Sequence, residues 1–398
     1  MNDKNPKLLF SNMSNDNSTK LNTNEIVKNL LSRLSKKERD IISRRFGLRD
    51  SEKETLEAVG HLHNLTRERI RQIENATIKK LREVKELKEE LAVLRDTTGQ
   101  VLKEHGGLAE KEYLFHLLNT FSPVEYRSDE YEVEKNHYDF MLSRLLHDEF
   151  EELKDSDVFK TSYKLKSESL EHLEELAREL VKKIATLKDT VKTEEVIDLL
   201  SQTETYGKHK EKLAVPSDLD VSTYWGDALF DENSELINNN KVLYSLLVAV
   251  RDVEQNKFGF WGKYDSEEIA PKTINHKIYL VLKNEGKPMH FVDIAKRINE
   301  VSFDHKTANP ATVHNELILD PKYVLIGRGI YGLKEWGYKE GVVADVIRDI
   351  LAESGPLTRE EIIEKVLANR MVKNTTINLA LMDKDSFEKT GEKYQVKK

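Results

Sequence analysis

From Asn24 onward apolar residues recur at helical spacing. Ile26, Leu30, Leu31 and Leu34, then Ile41, Ile42 and Phe46, mark two amphipathic stretches broken at Gly47. Leu56, Val59 and Leu62 predict a third, shorter helix. A turn at His63 and Asn64 leads to Thr66, whose hydroxyl suits an N-cap, and to a fourth helix that keeps Ile70, Ile73 and Leu81 on one face. The pattern predicts a four-helix unit over residues 24–85 that ends in a helix-turn-helix. Residues 1–23 are rich in Asn, Ser, Lys and Asp with little apolar periodicity, and are expected to form a disordered leader.

Beyond residue 85 a degenerate repeat emerges. An apolar residue is followed four positions later by an acid and two small or apolar residues at Leu108/Glu112, Val191/Glu195, Met289/Asp293 and Leu357/Glu361. An amphipathic helix precedes each, with Gly106 and Gly107, Gly286 or Gly355 at its end in three cases. Another helix and a hairpin-like stretch follow, ending in Tyr163 and Leu165, in Phe260 to Tyr264, in Tyr331 to Leu333 and in Tyr394 to Val396. Helix, helix, helix, hairpin is the winged-helix order. The expected boundaries are 86–168, 169–270 with an insert from Glu204 to Asn240, 271–338, and 339–398. The fold class is therefore mainly α, a multi-domain array of helix-turn-helix and winged-helix units with small β-hairpin wings.

Charge sharpens this division. Residues 24–85 hold 16 Lys and Arg against 10 Asp and Glu, a local charge of +6, so the rest of a chain with net charge -8 carries -14. A basic head on an acidic chain is the electrostatic footprint expected of phosphate binding. The 38% hydrophobic and 34% charged composition suits several small modules with much surface. With no cysteine there is no disulfide framework, thiolate zinc site or cysteine nucleophile. No apolar run approaches the roughly 18 residues of a membrane span, and the N-terminal stretch lacks the apolar core of a signal peptide. A cytoplasmic, nucleoid-associated protein is expected.

The chemistry concentrates in Thr66 to Glu74. With Ile70 and Ile73 turned inward, Arg67, Glu68, Arg71 and Gln72 share the opposite face. Arg bonds bidentately to guanine, Gln pairs with adenine and Glu accepts from cytosine, while Lys79, Lys80 and Arg82 continue as phosphate contacts. Taken alone, the same spacing also suits a solvated helix face closed by ion pairs.

The segments SRLSKKERDIISRRFGLRD and TLEAVGHLHNLTRERIRQIENATIKKLRE together resemble region 4 of the sigma-70 family of bacterial transcription initiation factors. The resemblance rests on Arg45 to Leu48, on the helix start Thr55 to Glu57, and on TRERIRQIE, all in family order over about sixty residues. It implies binding to the −35 promoter hexamer, with base contacts by Arg67, Glu68 and Gln72, and with Thr66, Arg69, Arg71 and Lys79 near the backbone. It also implies that the first two helices hold the flap of the RNA polymerase β subunit, a role that would fall to Leu31, Leu34, Ile42 and Phe46, which serve equally well as core. Two departures stand out. Ala76 replaces a lysine common one turn beyond the glutamine, and no region 2 is found, so a complete sigma factor is not expected.

Residues 272–338 resemble a HARE-type helix-turn-helix, a winged-helix family that includes the N-terminal domain of the polymerase delta subunit. That resemblance rests on Gly286 and Pro288, on the helix with Pro310, Thr312 and Leu317, and on the GRGIYGL hairpin. Its third helix offers Thr312, His314, Asn315 and Glu316, so protein binding is as well supported as DNA binding. Other features read as structural. Gly327 and Gly329 suit a hairpin turn, since no phosphate-loop Lys follows. FGFWGKY, Phe258 to Tyr264, suits a wing packed on its own core. His61 and His63 point to different sides of a helix, and the glutamate pairs Glu89/Glu90, Glu151/Glu152, Glu174/Glu175 and Glu194/Glu195 lack a catalytic partner. No enzyme, cofactor, metal site, membrane contact or small-molecule substrate is expected. The leading expectation is a sequence-specific transcription factor that binds −35-like DNA and RNA polymerase. The alternatives are a delta-like polymerase scaffold that reads no bases, and an accessory to DNA restriction or modification.

Overall fold

A computed structural model describes residues 21–50, 52–214, 233–338 and 341–397. The expected leader, up to residue 20, and much of the insert lie outside these residues. The chain divides into two compact units, Met1–Gln255 with Gly259–Tyr264, and Asn256–Phe258 with Asp265–Lys398.

The first unit opens with four helices, α1 (Thr23–Ser32), α2 (Lys36–Phe46), α3 (Leu56–His63) and α4 (Arg67–Arg82). Their ends follow local chemistry. Ser35 and Glu38 form a reciprocal capping box on α2, and Gly47 closes that helix in the left-handed conformation at φ 61°. The helical unit starts just before Asn24, because Asn22 caps α1 and Leu21 is buried, its N–H bonded to the Phe121 carbonyl at 2.9 Å.

After a short helix at Lys85–Glu90 the winged-helix order appears: α5 (Ala92–Glu104), β1 (Leu108–Glu110), α6 (Lys111–Asn119), α7 (Asp129–Phe140), β2 (Phe150–Leu153) and β3 (Ser162–Leu165). The sheet order is β1-β3-β2, all antiparallel. The order recurs in α8 (Glu171–Thr186), α9 (Thr193–Ser201), α10 (Lys241–Ala249), β4 (Val253–Gln255) and β5 (Trp261–Lys263), where a single bridge from Val191 to Trp261 stands in for the first strand. One apolar core runs from Leu21 to Trp261 through these elements.

The second unit holds two further copies. One is α11 (Ile274–Glu285), β6 (Met289–His290), α12 (Phe291–Val301), α13 (Pro310–Leu319), β7 (Tyr323–Gly327) and β8 (Ile330–Leu333), with sheet order β6-β8-β7. The other is α14 (Val343–Ser354), β9 (Leu357–Thr358), α15 (Arg359–Asn369), α16 (Asn374–Leu381), β10 (Phe387–Thr390) and β11 (Lys393–Val396), with β11 central. Each copy has its own core, and Gly329 sits in the β7–β8 turn at φ 69°.

All four copies share one register. The residue just before the cap of the second helix faces an aromatic on the last strand: Ala109 opposite Tyr163, Val191 opposite Trp261, Met289 opposite Tyr331, and Leu357 opposite Tyr394. The sequence repeat placed Leu108 at the first of these positions, one residue early. The reason is that the cap there is Glu110, whose carboxylate accepts from the Tyr113 N–H at 2.8 Å. At the second and fourth copies the acids take the reciprocal place, Glu195 accepting from the Lys192 N–H and Glu361 from the Thr358 N–H, each at 2.7 Å. Trp261 is buried and donates to Thr193 at 3.0 Å, so the FGFWGKY aromatic at this position packs inward.

The two copies of the first unit are locked together through α10. Ser245 donates to the Leu108 carbonyl at 2.6 Å, and Lys241 meets Glu104 at 3.1 Å with both side chains inside the core. Beside this pair His105 is buried, and burial pulls its imidazole down to about 4. A folded value below the unfolded 6.5 means that this histidine supports folding above pH 6.5 and that the support is lost as pH falls toward 4. We expect acidification from pH 6.5 to 5 to cost the first unit about 2 kcal/mol through this group. Denaturant melts of the wild type and of His105→Gln across that range check it, since the variant should lose the slope.

Candidate nucleic-acid interface

The helix-turn-helix is built from α3 and α4 by local devices. Thr55 caps α3 by accepting from the Ala58 N–H at 3.1 Å, and Asn64 ends it in the left-handed region at φ 53°. The Leu65 N–H then reaches back to the Gly60 carbonyl at 2.9 Å, and Thr66 caps α4 by accepting from the Arg69 N–H at 3.2 Å. Ile41, Val59 and Ile70 close a small core between α2, α3 and α4, with Leu56, Leu65 and Ile73 around it. Leu62, expected with Val59 on the inner face, is instead 58% exposed.

Gly60 sets the tightness of the turn. A Cβ there would stand 2.7 Å from the Leu65 carbonyl oxygen, a backbone atom that cannot swing away. Sequence reasoning passed over this residue, although a glycine inside so short a helix, four residues before Asn64, is the available signal. We expect Gly60→Ala to lower stability by about 1–3 kcal/mol through overpacking and to weaken DNA binding by tilting α4. Thermal melts beside fluorescence-anisotropy titrations would show both changes.

Ion pairs brace the same unit from behind. Arg45 on α2 meets the buried Glu74 on α4 at 2.8 Å and also bonds the Glu54 carbonyl. Asp40 accepts from Arg44 and from His63, each at 3.0 Å, while Arg44 also reaches Glu54 at 2.7 Å.

Thr66, Arg67, Glu68, Arg69, Arg71, Gln72, Lys79 and Lys80 are all exposed. Glu68 receives a two-pronged bond from Arg71, at 2.8 and 2.7 Å, and a third from the Gln72 amide at 3.3 Å. The Arg71 guanidinium holds the Glu68 carboxyl below the usual carboxylate range. Arg69 donates to the Gln72 side-chain oxygen, Oε1, at 3.1 Å. In the free protein, then, the polar stripe is pre-linked along the helix and leaves Arg67 at its tip. Lys80 turns to the other side and meets Glu38 of α2 at 3.2 Å, whereas Lys79 stays with the stripe.

Leu31, Leu34, Ile42 and Phe46 are buried. Packed against α1 and α2 is α7, the third helix of the first winged-helix copy. Phe140 stacks at a tilt on Phe46 with 4.8 Å between ring centroids. Three polar side chains of α7 are buried because the first helices satisfy them: Glu134 accepts from Thr23 at 2.9 Å, Asn136 donates to the Gly47 carbonyl at 3.2 Å, and His137 Nε2 lies 3.0 Å from the Leu48 carbonyl. Lys53 adds a pair with Asp139 at 2.7 Å.

Among the described residues no group of three or more His, Asp and Glu is placed to hold a metal ion, and no described helix is long and apolar enough to cross a membrane.

Comparison with known proteins agrees with this geometry. Residues 30–83 match the family model for sigma-70, region 4. RNA polymerase sigma factor SigA1 of Synechococcus elongatus is 52% identical over 58 residues, 15% of this chain and 14% of that protein. RNA polymerase sigma factor SigA of Microcystis aeruginosa is 50% identical over 58 residues with the same two shares, 15% and 14%. RNA polymerase sigma factor RpoD of Helicobacter pylori is 49% identical over 57 residues, 14% of this chain and 8% of that protein. The chain thus spans 14% or less of the length of these relatives. No solved structure matches it significantly. The first four helices are thus similar to sigma-70, region 4, over residues 30–83, and helix-and-hairpin units follow them.

Proposed function

We propose that this chain is a sequence-specific regulator of transcription initiation that reads a −35-like promoter element through its region 4 module and works with bacterial RNA polymerase in the cytoplasm, on the nucleoid. Arg67, Glu68 and Gln72 meet base edges in the major groove, while Thr66, Arg69, Arg71 and Lys79 sit at the phosphate backbone. The supporting observation is the exposed stripe of guanidinium, carboxylate and amide groups on α4, held on a rigid turn with its isoleucines inside. No enzymatic step is part of this reading.

Leu31, Leu34, Ile42 and Phe46 are buried and Phe140 of α7 lies on Phe46, so they would meet the polymerase flap only after a rearrangement that moves α7, and contact through this cleft is a switchable event. That weighs against a scaffold whose sole task is to hold the flap. The two winged-helix copies of the second unit, 271–338 with its HARE-like third helix and 339–398, are joined by bonds from Arg370 and Met371 to the Leu325 and Ile326 carbonyls, and bind further protein or DNA. Selection of bound duplexes from a random pool, with and without core polymerase, tests the reading. Enrichment of a hexamer resembling −35 is expected, and a pool that stays random under both conditions would sink it.

A further inference from the structure

Among the described residues the fold leaves several cations near the region 4 module without a counter-charge. Around the region 4 module several basic side chains are neutralised: Arg45 by Glu74, Lys80 by Glu38, Arg71 by Glu68 and Lys111 by Asp139. Lys79, Arg144 and Lys166 differ. They are exposed and have no carboxylate partner among the described residues. Arg82, at the end of α4, donates from Nε to the Arg144 carbonyl at 2.6 Å, which brings the end of the recognition helix against the π-helical turn Met141–Leu145 that continues α7. Arg144 is steadied there, its guanidinium 5.6 Å from the centre of the Phe46 ring.

His147 lies between the two sides of this cluster. Burial holds its imidazole below the usual histidine range, and the charges of Arg82 and Lys166 push it further the same way. Burial also lowers the Arg82 guanidinium, with Arg144 adding to the effect. His147 thus feels a local excess of positive charge, while at Arg82 the nearby Asp148 outweighs Arg144; the carboxylates at the rim are Asp148, 3.3 Å from His147, and Glu149, 4.0 Å from Arg95.

The placement matters as much as the sign. At about 100° per residue, Arg82 projects between Arg71 and Gln72, on the side of α4 that carries the base-facing stripe. At about 1.5 Å per residue it lies about 22 Å beyond Arg67, farther than the roughly 12 Å width of a major groove. A helix whose tip meets base edges therefore carries this end past the groove, to where sugar and phosphate run.

We propose that the duplex footprint extends from α4 onto the first winged-helix copy, where Arg82, Arg144 and Lys166 form a second surface for the phosphates of the DNA backbone. This rests on the reading of α4 as the helix in the groove. It gives the first winged-helix copy a DNA contact through the end of α7 and the strand β3 exit, since the body of α7 is consumed by docking on α1 and α2.

Arg144→Gln/Lys166→Gln in the full chain tests it, by fluorescence anisotropy on the selected duplex and on a scrambled duplex over a range of salt. Each phosphate contact contributes about 0.9 to the slope of log affinity on log salt. The double variant is expected to lose about 2 from that slope and about tenfold in affinity on both duplexes, with its preference between them intact. If it keeps the wild-type slope while Arg67→Ala still weakens binding, the extended footprint is overturned and the reading of α4 stands. If the wild-type chain binds neither duplex, both fall.

Discussion

A chain carrying Arg67→Ala together with Gln72→Ala is expected to bind its selected duplex about a thousandfold more weakly, while its binding to a scrambled duplex changes by a few-fold at most. A good bidentate contact between a side chain and a base is worth about 1–3 kcal/mol of discrimination, and each 1.4 kcal/mol is a factor of ten. Two such contacts supply the loss. The size of each step depends on what the free protein already holds. Gln72 is bonded on one side to Glu68 and on the other to Arg69, so it must exchange protein partners for a base, whereas Arg67 extends from the tip of the stripe. The Arg67 substitution should account for the larger share. Lys79→Ala offers the contrast: a uniform loss on both duplexes and a salt slope smaller by about 0.9. Equal losses on both duplexes for the double variant would mean that the stripe supplies charge and no sequence reading.

The parts of this architecture that local chemistry dictates were legible in the sequence. Helical spacing, the Thr66 cap and the break at Gly47 placed the region 4 helices, and the apolar-to-acid spacing picked out the four winged-helix copies. The error of one residue at Leu108 shows the limit of such a pattern. A glutamate serves as the cap at Glu110 and as the acid of the repeat at Glu112, and spacing alone does not separate the roles. The docking of α7 was not legible at all. Nothing local marks Glu134, Asn136 and His137 as buried, and their partners include Thr23 and the carbonyls of Gly47 and Leu48, about ninety or more residues earlier. The Lys241 and Glu104 pair was hidden for the same reason. Charged residues in a helix predict exposure until a distant segment supplies the counter-charge. The proposed role of Arg144 was likewise illegible, since nothing near it in sequence is basic except His147.

Phe140→Ala is expected to destabilise the first unit by about 3–5 kcal/mol, the usual cost of removing a large aromatic from a core with partial collapse of the cavity. Phe140 is 1% exposed and its ring packs on Phe46, so the loss falls on the contact between α7 and the region 4 helices. The polar bonds of α7 cannot hold this contact alone. Once the ring is gone, water reaches Glu134 and His137, and burial no longer shifts their titration. Hydrogen exchange should therefore speed up along α1 and α2 as well as along α7, while α14 to α16 of the second unit keep their protection. Exchange confined to α7 would mean that the region 4 helices are self-sufficient and that the docking is incidental. The same variant bears on polymerase. Release of α7 uncovers Phe46 and loosens the cluster that holds Leu31, Leu34 and Ile42, so more of the chain should be retained on immobilised core polymerase even though the protein is less stable. Retention that rises as stability falls is a sign that a simple unfolding defect does not produce, and it would identify α7 as the internal occupant of the cleft that polymerase competes for.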